Sequence, residues 1–201
     1  AIKRAEYAGV QVRQFDLPQE VSEETVMQTL REINSDPKIH GCLLFCPLPP
    51  HLDRRKIMNA LAREKDIDAI TAASMGGVLL HESVGFAPCT AAACLKIMHY
   101  YGIPIKGRNV TMVGKSSTVG LPTALLMMNE EATVSVCHIF TDPEDVKRLC
   151  QQADIIISAA GCANLIGRDH VRKGQVVIDV GINVDAQGKL CGDVDFPSVE
   201  P

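Results

Sequence analysis

Val110-Thr-Met-Val-Gly114-Lys-Ser-Ser-Thr-Val-Gly120-Leu-Pro122 is the stretch that decides the fold. An apolar run runs into a loop bounded by two glycines, and a helix with proline near its first turn follows. Such a strand–loop–helix aims backbone N–H groups and the positive helix end at an anion, usually a phosphate. It departs from G-x-G-x-x-G, because Lys115 and Ser116 replace the tight glycine turn, and no Gly-Lys-Ser/Thr closes it as a P-loop. The plainer alternative is a strand–helix turn that needs two glycines for packing.

Downstream the pattern is regular. Strands are expected at 109–113, 133–137, 154–158 and 175–180, with helices near 120–129 and 143–152 and a one-turn helix near 168–172. Strands alternating with helices predict a parallel sheet covered on both faces. The second strand, where a dinucleotide fold reads the ribose, leads into His138-Ile-Phe-Thr141-Asp142. With Asp142 expected to cap the next helix, His138, Thr141 and Lys115 favour a 2′-phosphate, hence NADP, with NAD as the alternative. Ala160, Gly161 and the Asp179-Val-Gly-Ile-Asn183 segment put small residues at strand ends, where a flat cofactor can approach the backbone.

Upstream the alternation is looser. A helix over 2–8 closed by Gly9 is expected, then a strand over 10–17, a helix capped by Ser22, a doubly buried strand over 39–46 and a helix over 54–63. Residues 64–90 read as loose chain, with Asp66 and Asp68 on one face of an extended segment. Thr90 is expected to cap an Ala-rich helix over 91–101, and a base for Cys89 to act as nucleophile is not evident. We therefore expect an α/β protein of two lobes: a substrate domain over 1–90 and a Rossmann-like NAD(P)-binding domain over 91–201, the first shortened at its N-terminus and the second at its C-terminus.

Composition narrows the function. The chain has 201 residues, 46% hydrophobic and 22% charged, with net charge −4 and no tryptophan. A globular domain of that balance is expected not to bind nucleic acid through a basic face, and no apolar run reaches the roughly 18 residues of a membrane span. The eight cysteines form no C-x-x-C and no zinc pattern, so they read as reduced, mostly buried thiols of a cytoplasmic protein, with no metal site.

Taken together, these segments resemble the bifunctional methylenetetrahydrofolate dehydrogenase/cyclohydrolase family. The likeness rests on Gly41-Cys-Leu-Leu-Phe-Cys-Pro-Leu-Pro49, Lys65-Asp-Ile-Asp68, Pro88-Cys-Thr90, Gly114–Pro122, Val177–Asn183 and Gly192-Asp-Val-Asp195. It implies NADP-dependent oxidation of methylenetetrahydrofolate to the methenyl form, then hydrolysis to formyltetrahydrofolate, in a homodimer. By the same resemblance Asp68 is the pterin-binding acid. Gly114, Lys115, Ser116, Val119 and Gly120 form the cofactor phosphate loop, Thr141 lies on the ribose side, Ala160 and Gly161 line the cofactor, and the Ile182 backbone lies near the nicotinamide. Four positions depart from the pattern. Ala1 stands at the family's catalytic lysine, with Lys3 about 200° around the helix. Phe45 replaces a glutamine, Ala69 a glycine and Ala91 a proline, and the family's Pro-Val-Pro-Gly-Gly-Val-Gly-Pro-Met-Thr segment does not follow Asp195. Neither Ala1 nor Phe45 is expected to be catalytic, so hydrolysis is expected to be weaker than hydride transfer. The competing readings are a dehydrogenase for another substrate and a non-catalytic cofactor-binding relative.

Overall fold

The computed structural model describes residues 2–82, 85–185 and 187–200. The first lobe opens with α1 (Ile2–Tyr7), closed by Gly9 at φ +71°. The Val10 N–H bonds the Ala5 carbonyl and the Gly9 N–H bonds that of Glu6, the paired closure that a left-handed residue permits. Ser22 caps α2 (Glu23–Ser35) by accepting the Thr25 N–H. Val26, Leu30 and Ile33 are buried against Ile57 and Leu61, around α3 (Arg54–Ala60). Asn34 ties the two helices, donating to the Ala60 carbonyl (2.7 Å) and accepting from the Ala62 N–H (2.8 Å).

Both strands expected in this lobe are corrected by the structure. Residues 10–17 form no helix and pair with no strand among the described residues, and Val10, Val12 and Leu17 are exposed. Residues 39–46 make one bridge, Cys42 with Asp66, through a 2.7 Å bond from the Cys42 N–H to the Lys65 carbonyl. Alternation reports which face is buried, but a strand also needs a neighbour along its length. Here one face lies on the α2–α3 core while Leu43 and Phe45 point out.

The stretch read as loose contains α4 (Ala72–Leu80), with Thr71 accepting the Ser74 N–H as its cap. Gly76 and Gly77 lower helix propensity, which hid the helix in the sequence. A 3₁₀ turn (Arg63–Lys65) leads into Asp66 and a further turn over Ile67 and Asp68 follows it, so the two carboxylates do not share the face of an extended segment as expected. Asp66 is fully buried and accepts the Ile70 and Thr71 N–H groups (3.0 and 2.9 Å) and the Ser74 hydroxyl (2.7 Å). Burial pushes its pKa up, but the donors of Thr71, Ser74 and Ile70 outweigh that, and the carboxyl titrates below the ordinary value.

α5 (Cys89–Tyr100) leads into the second lobe. It starts at Cys89 with Pro88 in the cap position, so Thr90 is not the cap; Pro88 cannot continue a helix backward but sets the φ that starts one. The parallel strands β1 (Asn109–Val113), β2 (Thr133–Cys137), β3 (Ile155–Ser158) and β4 (Val176–Asp179) lie in the order β2-β1-β3-β4. Val110, Met112, Ile155 and Ile157 pack towards α5 and α6 (Gly120–Asn129). Val113 and Ile156 pack on the other side with Cys150 of α7 (Pro143–Gln152). Continuous apolar strands are what a sheet covered on both faces requires. From β1 the chain crosses to β2 on one side and then returns to β3 on the other, so the topological switch point lies at the carboxyl ends of β1 and β3. A short hairpin of β5 (Asn183–Val184) and β6 (Leu190–Cys191) and a final turn, α8 (Phe196–Val199), follow. All eight cysteines are free: Cys94, Cys137 and Cys150 are buried, while Cys46, Cys89 and Cys162 are exposed, fewer buried thiols than the composition suggested.

Asp66 and the similarly held Asp193 both titrate lower in the fold than in the unfolded chain. Their stabilisation is therefore complete above the unfolded value of about 3.9 and drains away as pH falls through the lower folded values. Thermal unfolding followed against pH is expected to show Tm dropping steeply below about pH 4, with a shallower drop in Asp66→Asn. Identical slopes in the two proteins would contradict this assignment.

Candidate active site

The loop from Gly114 to Gly120, expected to hold a phosphate, sits at the switch point. Gly114 has φ +110°, and a Cβ there would overlap the Ala159 carbonyl. A Cβ on Gly120 would overlap the Gly114 carbonyl in turn, so both glycines are required by close backbone approach. Ser116 does more than its motif position suggested. Its Oγ accepts the Val119 and Gly120 N–H groups (3.1 and 3.2 Å) and so caps α6. Val119 occupies the cap position, and its carbonyl accepts the Thr123 hydroxyl at 2.7 Å. Among the described residues the N–H groups of Ser117 and Thr118 make no hydrogen bond, and Lys115 is exposed without an ion pair. Those free donors, with the Lys115 charge beside them, are the part of the loop open to an anion.

At the next strand end, the Thr141 Oγ1 accepts the His138 N–H (2.9 Å) and the Asp142 carboxylate caps α7 through the Glu144 N–H (2.9 Å). Asp142 is thereby committed to the helix, as expected, and Thr141 shapes the turn that projects Ile139 and Phe140 into solvent.

The residue that sequence reading missed is Asp193. Its carboxylate is buried and accepts the Ser158 hydroxyl (3.0 Å), the Asn183 amide (2.9 Å) and the N–H groups of Ala160 (2.6 Å), Gly161 (3.3 Å) and Cys162 (3.0 Å). Burial raises its pKa, yet the donors of Asn183, Ala160, Ser158 and Cys162 prevail and hold the carboxyl below its ordinary value. Asp179 holds the same segment from the other side, accepting the Gly181, Asp193 and Val194 N–H groups, each at 3.0 Å. A Cβ on Gly181 would overlap the Asp193 carboxylate, and one on Gly192 that of Asp179. The signal was present in sequence as an acid in an apolar strand and a Gly-Asp pair downstream. Which loop they clamp follows only from the fold. The clamp presents Ala160, Gly161 and Ile182 at the sheet's carboxyl edge, all exposed, with open space where a Gly161 Cβ would stand. Open backbone at Gly161 and unpaired N–H groups at Ser117 and Thr118 fit a dinucleotide. Among the described residues no group of three or more His, Cys, Asp and Glu could hold a metal ion, and no helix is long and apolar enough to cross a membrane.

The two lobes meet over a cleft of about 310 Å³ that holds Asp68 and Ala69 on one wall and Ser117 and Thr118 on the other. Asp68 Oδ1 accepts the Cys89 N–H at 3.2 Å, which fixes the carboxylate beside the start of α5. Ala69 adopts φ +52° while buried, a conformation that costs a non-glycine residue about 1–2 kcal/mol and suits the glycine expected there. The Cys89 thiol donates to the Ile67 carbonyl (3.3 Å), and burial with the neighbouring Asp68 raises its pKa, so it is a protonated thiol rather than a nucleophile. Phe45 is 71% exposed and offers no group that could orient water. The Ala1 position lies outside the described residues. A second cavity, of about 290 Å³, lies at the amino ends of β1 and β2 and contains none of the candidate residues.

Ser116→Ala removes both cap bonds. The expected cost is about 1 kcal/mol, read calorimetrically as a Tm lower by about 2–4 °C; an unchanged Tm would mean that another group caps α6.

Comparison with known proteins bears on both lobes. Residues 88–201 match the family model for the tetrahydrofolate dehydrogenase/cyclohydrolase NAD(P)-binding domain, and residues 1–68 match that for the catalytic domain. The chain is 43% identical to the bifunctional protein FolD of Carboxydothermus hydrogenoformans, over 100% of this chain and 70% of that protein. It is 40% identical to FolD of Alkaliphilus metalliredigens with the same coverage. Among solved structures, the bifunctional FolD enzyme of Campylobacter jejuni superposes with TM-score 0.95 at 37% identity, covering 98% of this chain and 69% of that one. The Trypanosoma brucei dehydrogenase–cyclohydrolase, complexed with NADP and an inhibitor, gives TM-score 0.92 at 31% identity over the same shares. On sequence and on fold alike, the chain belongs to the tetrahydrofolate dehydrogenase/cyclohydrolase family.

Proposed function

We propose that this protein oxidises 5,10-methylenetetrahydrofolate to the 5,10-methenyl form with NADP as acceptor, and that its hydrolysis of the product to 10-formyltetrahydrofolate is weakened. The observation that carries the reading is the shared cleft: Asp68 and the phosphate loop, from different lobes, line one space. The NADP-complexed Trypanosoma brucei relative and the bifunctional names of the bacterial relatives support the cofactor and the chemistry. On this reading residues 1–90 form the substrate domain and 91–201 the dinucleotide domain, in a cytoplasmic homodimer.

The chain's own contribution is positioning and charge. The Asp68 carboxylate, anchored by the Cys89 N–H, accepts N–H donors of the pterin edge and so fixes the reacting carbon relative to the other wall. Ser117 and Thr118 N–H groups, with Lys115, bind the phosphates. The Asp193 clamp holds the Ala160–Gly161 backbone as a flat, open ledge for a ring. Bound NADP supplies the hydride acceptor. Water activation is different, because it needs a group that can take a proton or steady developing charge. The Phe45 ring does neither, and this is the physical basis for separating the two activities.

The test is a progress curve with methylenetetrahydrofolate and NADP, following NADPH and the methenyl chromophore together. NADPH is expected to rise while methenyl accumulates, and Phe45→Gln is expected to reduce that accumulation. If neither signal moves with NADP or NAD, the folate reading falls. If methenyl never accumulates in the parent protein, the account of Phe45 is wrong.

A further inference from the structure

The first three residues of α3 are all cationic. Arg54, Arg55 and Lys56 open the helix and no acid lies among them, although the helix dipole favours anions there. Asp53 caps the helix, accepting the Lys56 N–H at 3.0 Å. The three cations are then treated differently. Lys56 is matched by Glu23, 2.5 Å away, and the pair lowers the Glu23 pKa and raises that of Lys56. Arg54 and Arg55 make no ion pair and no side-chain hydrogen bond among the described residues, and both are exposed. Yet both line the inter-lobe cleft, where Asp68 is the one acid among the lining residues and Ser117 and Thr118, whose N–H groups make no hydrogen bond among the described residues, line the same space. Asn59 holds this wall in place: its Oδ1 accepts the Ala72 N–H (2.8 Å) and its Nδ2 donates to the Arg55 carbonyl (2.9 Å), fastening α3 to the start of α4. Two exposed guanidinium groups without a partner among the described residues, on a fixed wall that lines a cleft, are placed to meet negative charge on a ligand.

We propose that Arg54 and Arg55 form an oxyanion-binding wall of the cleft, across from the phosphate loop. The proposal rests on the folate and dinucleotide reading above. Guanidinium groups bind phosphate and carboxylate alike through paired N–H donors. That chemistry has two sources here: the diphosphate of the dinucleotide and the carboxylates of a glutamyl tail on the folate. Asp68 satisfies the pterin end, so the two arginines add affinity and orientation for the anionic part of whichever ligand spans the gap.

The double variant Arg54→Gln, Arg55→Gln is compared with the parent full chain by calorimetric titration with NADP, with tetrahydrofolate monoglutamate and with tetrahydrofolate pentaglutamate. The expected result is a loss of about tenfold or more in affinity, with Tm unchanged or raised because charge is removed from the positive end of a helix. A loss confined to NADP identifies the diphosphate as the source. A loss larger for pentaglutamate than for monoglutamate identifies the glutamyl carboxylates. Affinities within twofold of the parent for all three ligands overturn the proposal, as does a lowered Tm, which would make the arginines structural. A parent protein that binds none of the three overturns the functional reading and this inference together, whereas normal parent binding with an indifferent variant overturns the inference alone.

Discussion

The carboxylate of Asp193 is the group on which the second lobe's carboxyl edge depends. A buried charge is costly unless its lone pairs are filled. This one is filled by a serine hydroxyl, a carboxamide and three consecutive backbone N–H groups. The Ser158 hydroxyl, buried beside it, would otherwise be left without a partner at a cost of about 1–3 kcal/mol. The consequence is geometric. The turn after β3, the β5–β6 hairpin and the segment after β6 become one unit, which Asp179 reinforces through three further N–H groups. Gly114 abuts that unit at the Ala159 carbonyl, and the Ala159 N–H bonds the Val113 carbonyl at 2.8 Å, so the loop from Gly114 to Gly120 inherits its position from the clamp.

The first lobe uses the same device on a smaller scale. Asp66 closes the turn that leads to α4 with two N–H groups and a hydroxyl, and no basic side chain lies within ion-pair distance of either carboxylate among the described residues. Both lobes therefore hold a functional edge by hydrogen bonds from backbone to buried acid rather than by paired charges. The Asn129 side chain, donating to the Val78 carbonyl at 2.9 Å, ties α6 to α4 and so relates the two edges across the cleft. Asp68 and the loop from Gly114 to Gly120 can share a space because both are fixed to rigid elements.

Much of this was legible in the residues, and what was not has definite causes. The second lobe reads cleanly, since Val110–Val113 and Ile155–Ser158 are largely apolar strands followed within three residues by a glycine and Asp142-Pro143 marks a helix start. The first lobe reads less well. The run from Ile39 to Cys46 carries the right residues for a strand but finds one hydrogen-bonded neighbour, which no local pattern reveals. Gly76 and Gly77 concealed α4. Asp66 and Asp68 look alike in sequence, and the turn over Ile67 and Asp68 leaves one in the core and the other at the cleft. Asp193 was hidden because its partners lie about 30 residues upstream and ten residues away in β5, so its role is tertiary.

The central claim is that the Asp193 clamp builds the dinucleotide ledge, and the direct measurement is NADP affinity in Asp193→Asn. The substitution keeps the shape but turns one oxygen into an N–H₂ that faces other N–H donors. Measured by calorimetric titration at a temperature where the variant is folded, affinity is expected to fall by about tenfold or more, because the ledge shifts. A folded variant that binds NADP as tightly as its parent would contradict the account.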